Sequence, residues 1–167
     1  MRVWLIKPMT DTRDGDGMLR SRIGLFSECE MISPDTDIYE AFKARGKFDA
    51  VITDECQVFT AKQVDEMRRI VDECSVPVMC FGLRTDFRTK LFQGSARLFE
   101  IADSIAEIKT ICDCGSKATV NARFDSHGRL VTHGTQVVIG GNERYLAMCH
   151  KCYSQRLRKE RTEKDEA

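Results

Sequence analysis

Two close pairs of cysteines constrain the fold of this chain more than any other feature of its sequence. The first pair is Cys112-Asp113-Cys114 and the second is Cys149-His150-Lys151-Cys152. Zinc prefers four sulfur or nitrogen ligands in a tetrahedron, and two close pairs supply four sulfurs with little loop strain. Gly115 follows the first pair and allows a tight turn around a metal. The pairs therefore predict a closed, structural zinc site, and the alternative is four buried thiols without an ion.

The other four of the eight cysteines are scattered through apolar or mixed segments, at Cys29, Cys56, Cys74 and Cys80. A free cysteine usually behaves as a small buried hydrophobe, which is how we interpret these four. Paired cysteines in a reducing compartment indicate metal binding rather than disulfides. This pattern, with no charged and apolar leader at Met1, predicts a cytoplasmic protein.

The composition excludes several classes of protein. The 167 residues include 26 lysines and arginines and 26 aspartates and glutamates, so the formal net charge is zero, and 42% of the residues are hydrophobic. A balanced charge argues against a domain that holds nucleic acid through bulk positive charge. With three prolines the chain is not mainly disordered, and no apolar run approaches the ~20 residues that cross a bilayer. We expect a globular protein that binds neither nucleic acid nor membrane.

The first two thirds of the sequence alternate between short apolar runs and helical patterns. Buried strands are predicted at residues 3–6, 48–52 and 76–81, with a short strand at 29–32. Helices are predicted after Ser33, after a capping Thr60, and over 96–102. Residues 8–24 are predicted to form a long polar loop. Strands that alternate with helices indicate an α/β fold with a parallel sheet and crossover connections.

The pattern changes near residue 105, where short segments separated by turn signals begin. Strands are predicted at 107–111, 119–124, 136–139 and 145–148. We therefore expect an α/β domain over residues 1–105, a zinc-binding β domain over 106–155 and a charged tail over 156–167.

An acidic pair, Asp54-Glu55, follows the strand at 48–52. Ligands of open α/β sheets bind at the carboxyl edge of the strands. An aspartate there can hold the magnesium of a nucleoside triphosphate, and a glutamate can accept a proton from an attacking hydroxyl. Solvated acids are also common at strand ends, so the pair by itself leaves both interpretations open.

Three stretches of the sequence resemble the thymidine kinases of the cellular and bacterial, zinc-containing type. They are Asp54-Glu55-Cys56-Gln57, Gly82-Leu83-Arg84-Thr85-Asp86-Phe87 and Val138-Ile139-Gly140-Gly141-Asn142-Glu143-Arg144-Tyr145. The spacing of the cysteine pairs matches the bacterial branch, and the resemblance extends from Arg2 to about Tyr153. It implies transfer of the γ-phosphoryl group of ATP to the 5′-hydroxyl of thymidine, on a P-loop-kinase-like parallel sheet with a small zinc ribbon.

The resemblance also implies the roles of individual residues. Glu55 would be the general base and Asp54 would assist magnesium. Gln57 would lie at the nucleoside beside the cofactor, and Asp11 and Arg13 would lie near the phosphates. The thymine pocket would contain Leu83, Phe87 and a lasso loop that holds the base through backbone groups. That loop corresponds to Gln136, Val137, Val138, Ile139 and Gly140, followed by Tyr145. The zinc ligands would be Cys112, Cys114, Cys149 and Cys152.

The implied ligands are thymidine, ATP with Mg²⁺, a structural Zn²⁺, and dTTP as a feedback inhibitor.

One part of the family pattern, the phosphate loop G-x-x-x-x-G-K-[ST], is not found in the 167 residues. Met1-Arg2-Val3 aligns with the start of the family's second strand, so we expect the first βα unit to be missing. A misassigned start codon, a degenerate copy and a split enzyme would each explain this. A homotetramer is expected if that segment is restored.

Three functional hypotheses remain open from the sequence. They are a thymidine kinase, a non-catalytic module (a remnant that binds thymidine or dTTP, or one half of a split kinase), and a zinc ribbon that binds only partners. Glu55, Phe87 and the lasso sequence favour the first two, because a bare ribbon needs none of them.

We predict that residues 1–167 alone have negligible kinase activity. The reason is that no glycine-rich loop in these residues offers its backbone N–H groups to the phosphates. The measurement is ATP-dependent phosphorylation of thymidine by the purified, zinc-loaded chain. Steady formation of thymidine monophosphate would refute the prediction.

Overall fold

A computed structural model of the chain describes residues 1–12, 15, 17–21, 23–136 and 145–165. The chain divides into two compact units. Unit 1 comprises Met1–Arg84 and Phe92–Asp103, and unit 2 comprises Thr85–Leu91 and Ser104–Ala167.

Unit 1 is built on a parallel sheet of four strands, β1 (Val3–Pro8), β4 (Glu30–Ile32), β5 (Ala50–Thr53) and β6 (Val78–Cys80). Their order in the sheet is β4-β1-β5-β6. The helices of the unit are α1 (Ile38–Ala44), α2 (Ala61–Cys74) and α3 (Gln93–Ile101). Leu5 of β1 pairs with Ile52 of β5, which pairs with Met79 of β6. The predicted α/β class and parallel sheet are confirmed.

The start of α2 follows from its sequence. Thr60 Oγ1 accepts a hydrogen bond from Gln63 N, and Gln63 Oε1 accepts one from Thr60 N, which is a complete capping box. The helix then buries Val64, Met67 and Ile70 at helical spacing. These side chains join Trp4, Ile6, Val51 and Phe59 in the core of unit 1.

A hairpin that the sequence does not predict lies between β1 and β4. Its strands are β2 (Met18–Arg20) and β3 (Phe26–Glu28), and β2 falls within the predicted polar loop. Gly24 adopts a φ of +88° and donates from N to Ser21 O at 3.0 Å, which closes the turn. The two strands are joined by backbone hydrogen bonds, and their residues do not alternate between apolar and polar. The sequence pattern therefore does not predict this hairpin.

Unit 2 contains two small antiparallel sheets and a long helix. Its elements are β7 (Thr110–Ile111), β8 (Lys117–Ala118), β9 (Val120–Arg123), β10 (Tyr145–Met148) and α4 (His150–Asp165). Its core is Val120, Ala122, Phe124, Leu130 and Tyr153. Gln136 lies outside any strand, and the rest of the strand predicted at 136–139 falls outside the described residues. Helix α4 continues to Asp165, through most of the segment that the sequence predicts as a charged tail.

None of the helices in the described ranges combines the length and apolar character that a membrane span requires.

Candidate functional site

In unit 1 the carboxyl ends of β1, β5 and β6 lie side by side at one edge of the sheet. Asp54 N donates to Ile6 O at 3.0 Å, which joins the segment after β5 to β1. Cys56 N donates to Phe81 O at 2.9 Å, which joins the same segment to the end of β6. The predicted acidic pair therefore sits where ligands of open parallel sheets bind.

Glu55 has an unusual backbone conformation. Its φ of 49° and ψ of 36° place it in the left-handed region, at the start of a 3₁₀ turn over Cys56–Val58. Non-glycine residues adopt this conformation at a cost of order 1–3 kcal/mol, and such positions cluster at active sites. This conformation lets the chain turn after β5 into the 3₁₀ turn, and the Glu55 side chain is partly buried.

Gln57 holds Glu55 in place. Its Nε2 donates to Glu55 Oε2 at 2.6 Å, and its Oε1 accepts from Leu83 N at 3.0 Å. Because Gln57 is 3% exposed, its amide is fixed between the carboxylate and the backbone that follows β6. Both functional groups of this amide are therefore used to orient Glu55 and Leu83.

Gly82 makes this arrangement possible. A Cβ at this position would lie 2.3 Å from Gln57 Oε1 and 2.7 Å from Cys56 Sγ. The close approach of the two segments therefore requires a residue without a side chain.

We predict that Gly82→Ala destabilises unit 1 by about 1–3 kcal/mol, as overpacking of a dense site does. The same change should displace Gln57 and with it the Glu55 carboxylate. Thermal denaturation measures the first effect, and phosphoryl-transfer activity of a version that carries a phosphate loop measures the second. A variant with unchanged melting and unchanged activity would contradict the prediction.

A buried lysine lies near the end of β1. Lys7 is 0% exposed, and its Nζ lies 3.6 Å from Asp11 Oδ2. Among the residues with described positions, no group accepts a hydrogen bond from this ammonium. A buried cation at this edge suits an anionic ligand such as a phosphate. Arg13, predicted to lie near Asp11, falls outside the described residues.

In unit 2, Asp86 organises the segment Thr85–Leu91. Its carboxylate accepts from Arg88 N and Lys90 N, both at 2.9 Å, and pairs with the Arg88 guanidinium at 2.8 Å. Burial of Asp86 opposes its charged form, but the bonds from Lys90 and Arg88 outweigh that effect, so the pKa of Asp86 is lowered. The segment is thereby held in one conformation around an ionised side chain.

Phe87 is enclosed rather than open. It is 1% exposed, and the Arg123 guanidinium lies over its ring at 3.7 Å from the centroid. Its carbonyl accepts a hydrogen bond from the Tyr153 hydroxyl at 2.8 Å. In this structure the ring therefore offers no free face, and a base could stack on it only after a covering group moves.

The structure describes only the two ends of the predicted lasso. Gln136 Nε2 lies 3.3 Å from both Asp86 Oδ2 and Leu91 O, which connects the start of the lasso to the Phe87 segment. Tyr145 begins β10 and pairs with Arg123 in β9. The residues between them, Val137, Val138, Ile139 and Gly140 among them, lie outside the described residues.

The four paired cysteines converge in unit 2. Their Sγ atoms all lie within 4.8 Å of one another, and Cys114 Sγ is 3.6 Å from Cys149 Sγ. A tetrahedral zinc with bonds of about 2.3 Å would separate its sulfurs by about 3.8 Å, so the set fits such an ion. Hydrogen bonds from Ser116, together with those from the neighbouring thiols, lower the pKa of Cys114 to about 6, which favours the thiolate that a metal needs. The cluster can bind a metal ion such as zinc.

The scattered cysteines match their interpretation in part. Cys56 is buried, whereas Cys29, Cys74 and Cys80 are half-buried, and none of the four belongs to the metal cluster.

Four residues that contribute to the arrangements described within unit 1 or within unit 2 were not predicted from the sequence. They are Lys7, Gly82, Arg123 and Tyr153. A lysine inside an apolar strand was a usable signal for Lys7. Gly82 begins a stretch that resembles the family, but the resemblance assigns it no role. Gly82, Arg123 and Tyr153 all act through contacts between distant segments, which sequence patterns do not reveal.

Comparison with known proteins agrees with the predicted resemblance. Residues 1–153 match the family model described as "Thymidine kinase". The chain is 42% identical over 152 residues to a thymidine kinase of Vibrio vulnificus, covering 89% of this chain and 79% of that protein. It is 43% identical over 160 residues to a thymidine kinase of Escherichia coli O157:H7, covering 94% of this chain and 78% of that protein. A thymidine kinase of Ruegeria pomeroyi is 43% identical over 154 residues, 90% of this chain and 78% of that protein.

Proposed function

Because the chain belongs to the thymidine kinase family, we propose that it transfers the γ-phosphoryl group of ATP to the 5′-hydroxyl of thymidine. The observation that carries this proposal is the arrangement at the sheet edge. There Gln57 fixes the Glu55 carboxylate beside the backbone of Leu83, which belongs to the predicted nucleoside pocket.

Glu55 is the general base in this proposal. Its carboxylate accepts the proton of the 5′-hydroxyl while that oxygen forms a bond to the γ-phosphorus. The bond between the γ-phosphorus and the β–γ bridging oxygen breaks, and ADP leaves with the electron pair. A positioned base of this kind contributes about 10²–10⁴-fold to the rate. The hydrogen bond from Gln57 fixes the orientation of the carboxylate that would accept this proton.

The phosphate side of the site would be formed by Asp54, Asp11, Arg13 and Lys7. Magnesium neutralises phosphate charge when bound, and Asp54 would assist in holding it. The buried Lys7 ammonium supports this assignment, because an anionic ligand would give it the acceptor that the described residues do not provide. Asp11, 3.6 Å away, keeps the ammonium in place.

The nucleoside side would be formed by Leu83, Phe87, the residues from Gln136 to Gly140, and Tyr145. In this proposal thymine stacks on the side of the Phe87 ring away from Arg123, after the group that covers that side has moved, because the ring is buried and Arg123 lies over its other face. We also propose dTTP as a feedback ligand, since it carries the same base. A homotetramer and a cytoplasmic location are further proposals that the family resemblance supports.

The metal is proposed to be a structural Zn²⁺ bound by Cys112, Cys114, Cys149 and Cys152. Four sulfurs fill a tetrahedron and leave no position for a substrate, so the ion stabilises unit 2 and takes no part in the reaction.

Thymidine binding tests the proposal independently of turnover. Isothermal titration calorimetry of the zinc-loaded chain should detect thymidine at one site per chain, with adenosine as a control that does not compete for it. Absence of thymidine binding would overturn the proposed nucleoside site.

A further inference from the structure

We infer that Arg123 is a positioning residue of the nucleoside pocket, because one buried guanidinium fixes both the Phe87 ring and the segment 133–135. The inference rests on the proposed binding of thymidine next to Phe87. All of the groups involved belong to unit 2, so the arrangement is internal to one compact body.

Arg123 is an unusual residue for its position. It ends β9 and is 6% exposed, although arginine is rarely buried to this extent without a carboxylate partner. Within the part of the chain that the structure describes, no acidic side chain forms an ion pair with it. Its charge is instead met by two backbone carbonyls and the face of one aromatic ring. Because burying a charged group without an ion pair is energetically unfavourable, we expect the buried guanidinium of Arg123 to have a specific role.

The contacts of Arg123 join two segments that are far apart in sequence. Its Cζ lies 3.7 Å from the centroid of the Phe87 ring, while Nη1 donates to Thr135 O at 2.9 Å and Nη2 to His133 O at 3.3 Å. A guanidinium is flat, so it can stack on a ring and donate hydrogen bonds in its own plane at the same time. A lysine ammonium cannot do both.

The segment that receives these bonds is shaped to fit them. Gly134 has a φ of +121°, and a Cβ on it would lie 2.9 Å from Arg123 Nη2. The chain between the two accepting carbonyls therefore passes directly against the guanidinium, which would have to shift if Gly134 carried a side chain.

A second side chain makes the same connection. Gln136 Nε2 lies 3.3 Å from Asp86 Oδ2 and from Leu91 O, on either side of Phe87 in sequence. The Phe87 segment and the segment 133–136 are thus joined through Arg123 and again through Gln136. Two separate links restrain both distance and orientation, which reduces the ordering that a bound nucleoside would otherwise have to impose.

The test is the substitution Arg123→Lys, with Arg156→Lys as the matched control. Arg156 also lies over a phenylalanine ring in unit 2, but the ring is that of Phe124, 5.8 Å from Cζ to the centroid, and Arg156 is exposed. Thymidine affinity of the zinc-loaded chain should fall about tenfold or more in Arg123→Lys and stay unchanged in Arg156→Lys. In a Phe87→Leu background, Arg123→Lys should add little, because the two residues act as a unit.

A spectroscopic measurement on the unmodified chain covers the case in which Arg123→Lys does not fold. The Hε proton of Arg123 should resonate at high field because the guanidinium lies over the Phe87 ring, and saturating thymidine should shift that resonance. An Arg123 Hε signal that thymidine leaves unchanged would overturn the inference, as would wild-type affinity in a folded Arg123→Lys. If the unmodified chain binds no thymidine at all, the proposed function fails and the inference fails with it.

Discussion

Replacement of Glu55 by glutamine is expected to lower the turnover number by about 10²–10⁴-fold, the range associated with loss of a positioned general base. Glutamine keeps the size of the side chain and can still bond to Gln57, but it cannot accept a proton from the 5′-hydroxyl. The KM for thymidine should change little, because Glu55 acts on the reacting oxygen rather than on the base. Steady-state kinetics should be measured on a version extended before Met1 by the glycine-rich phosphate loop of the family.

Glu40→Gln is the matched control for this variant. Glu40 is exposed in the first turn of α1 and is not one of the proposed site residues, so the same substitution there should leave turnover unchanged. Wild-type turnover in Glu55→Gln would remove Glu55 from the role of base. A loss confined to KM would instead assign it to binding.

Replacement of Cys149 by serine is expected to release the metal and unfold unit 2. Cys149 is 7% exposed, and its Sγ belongs to the cluster, 3.6 Å from Cys114 Sγ. Structural zinc contributes about 10–16 kcal/mol of apparent binding free energy in small domains, and that energy is also folding energy. Thymidine binding should be lost together with the metal, because Tyr153 follows Cys152 in α4 and holds the Phe87 carbonyl.

Cys74→Ser provides the control, since Cys74 ends α2 in unit 1 and does not belong to the cluster. Zinc content per chain and amide hydrogen exchange over residues 104–165 measure the effect. If Cys149→Ser loses zinc but keeps its exchange protection and melting temperature, the metal does not stabilise this unit.

The features that sequence predicts well here are those set by local chemistry. Thr60 and Gln63 form the capping box that begins α2, and the acidic pair falls at the edge of the parallel sheet. The four paired cysteines meet as their spacing indicates. The capping box and each cysteine pair act within a few residues, and the acidic pair lies on an edge that the strand order defines. The two cysteine pairs are far apart in sequence, but four sulfurs in two close pairs are the ligand set of one zinc ion, which predicts that they meet.

The features that sequence does not predict depend on contacts between distant segments. The amide of Gln57 is bonded to Glu55 and to Leu83 N, a role that only the approach of β5 to β6 creates. The burial of Phe87 depends on Arg123, 36 residues further along the chain. No periodicity or spacing rule connects these positions, so only the folded structure shows them together.

Transfer of labelled phosphate tests the central claim most directly. The loop-extended version would be incubated with ATP labelled at the γ-phosphorus, Mg²⁺ and thymidine, and the products would be separated and their structures determined. We predict that the label appears on the 5′-oxygen of thymidine and that Glu55→Gln slows its appearance by about 10²–10⁴-fold. Label released only as inorganic phosphate, or transferred equally well by Glu55→Gln, would contradict the account.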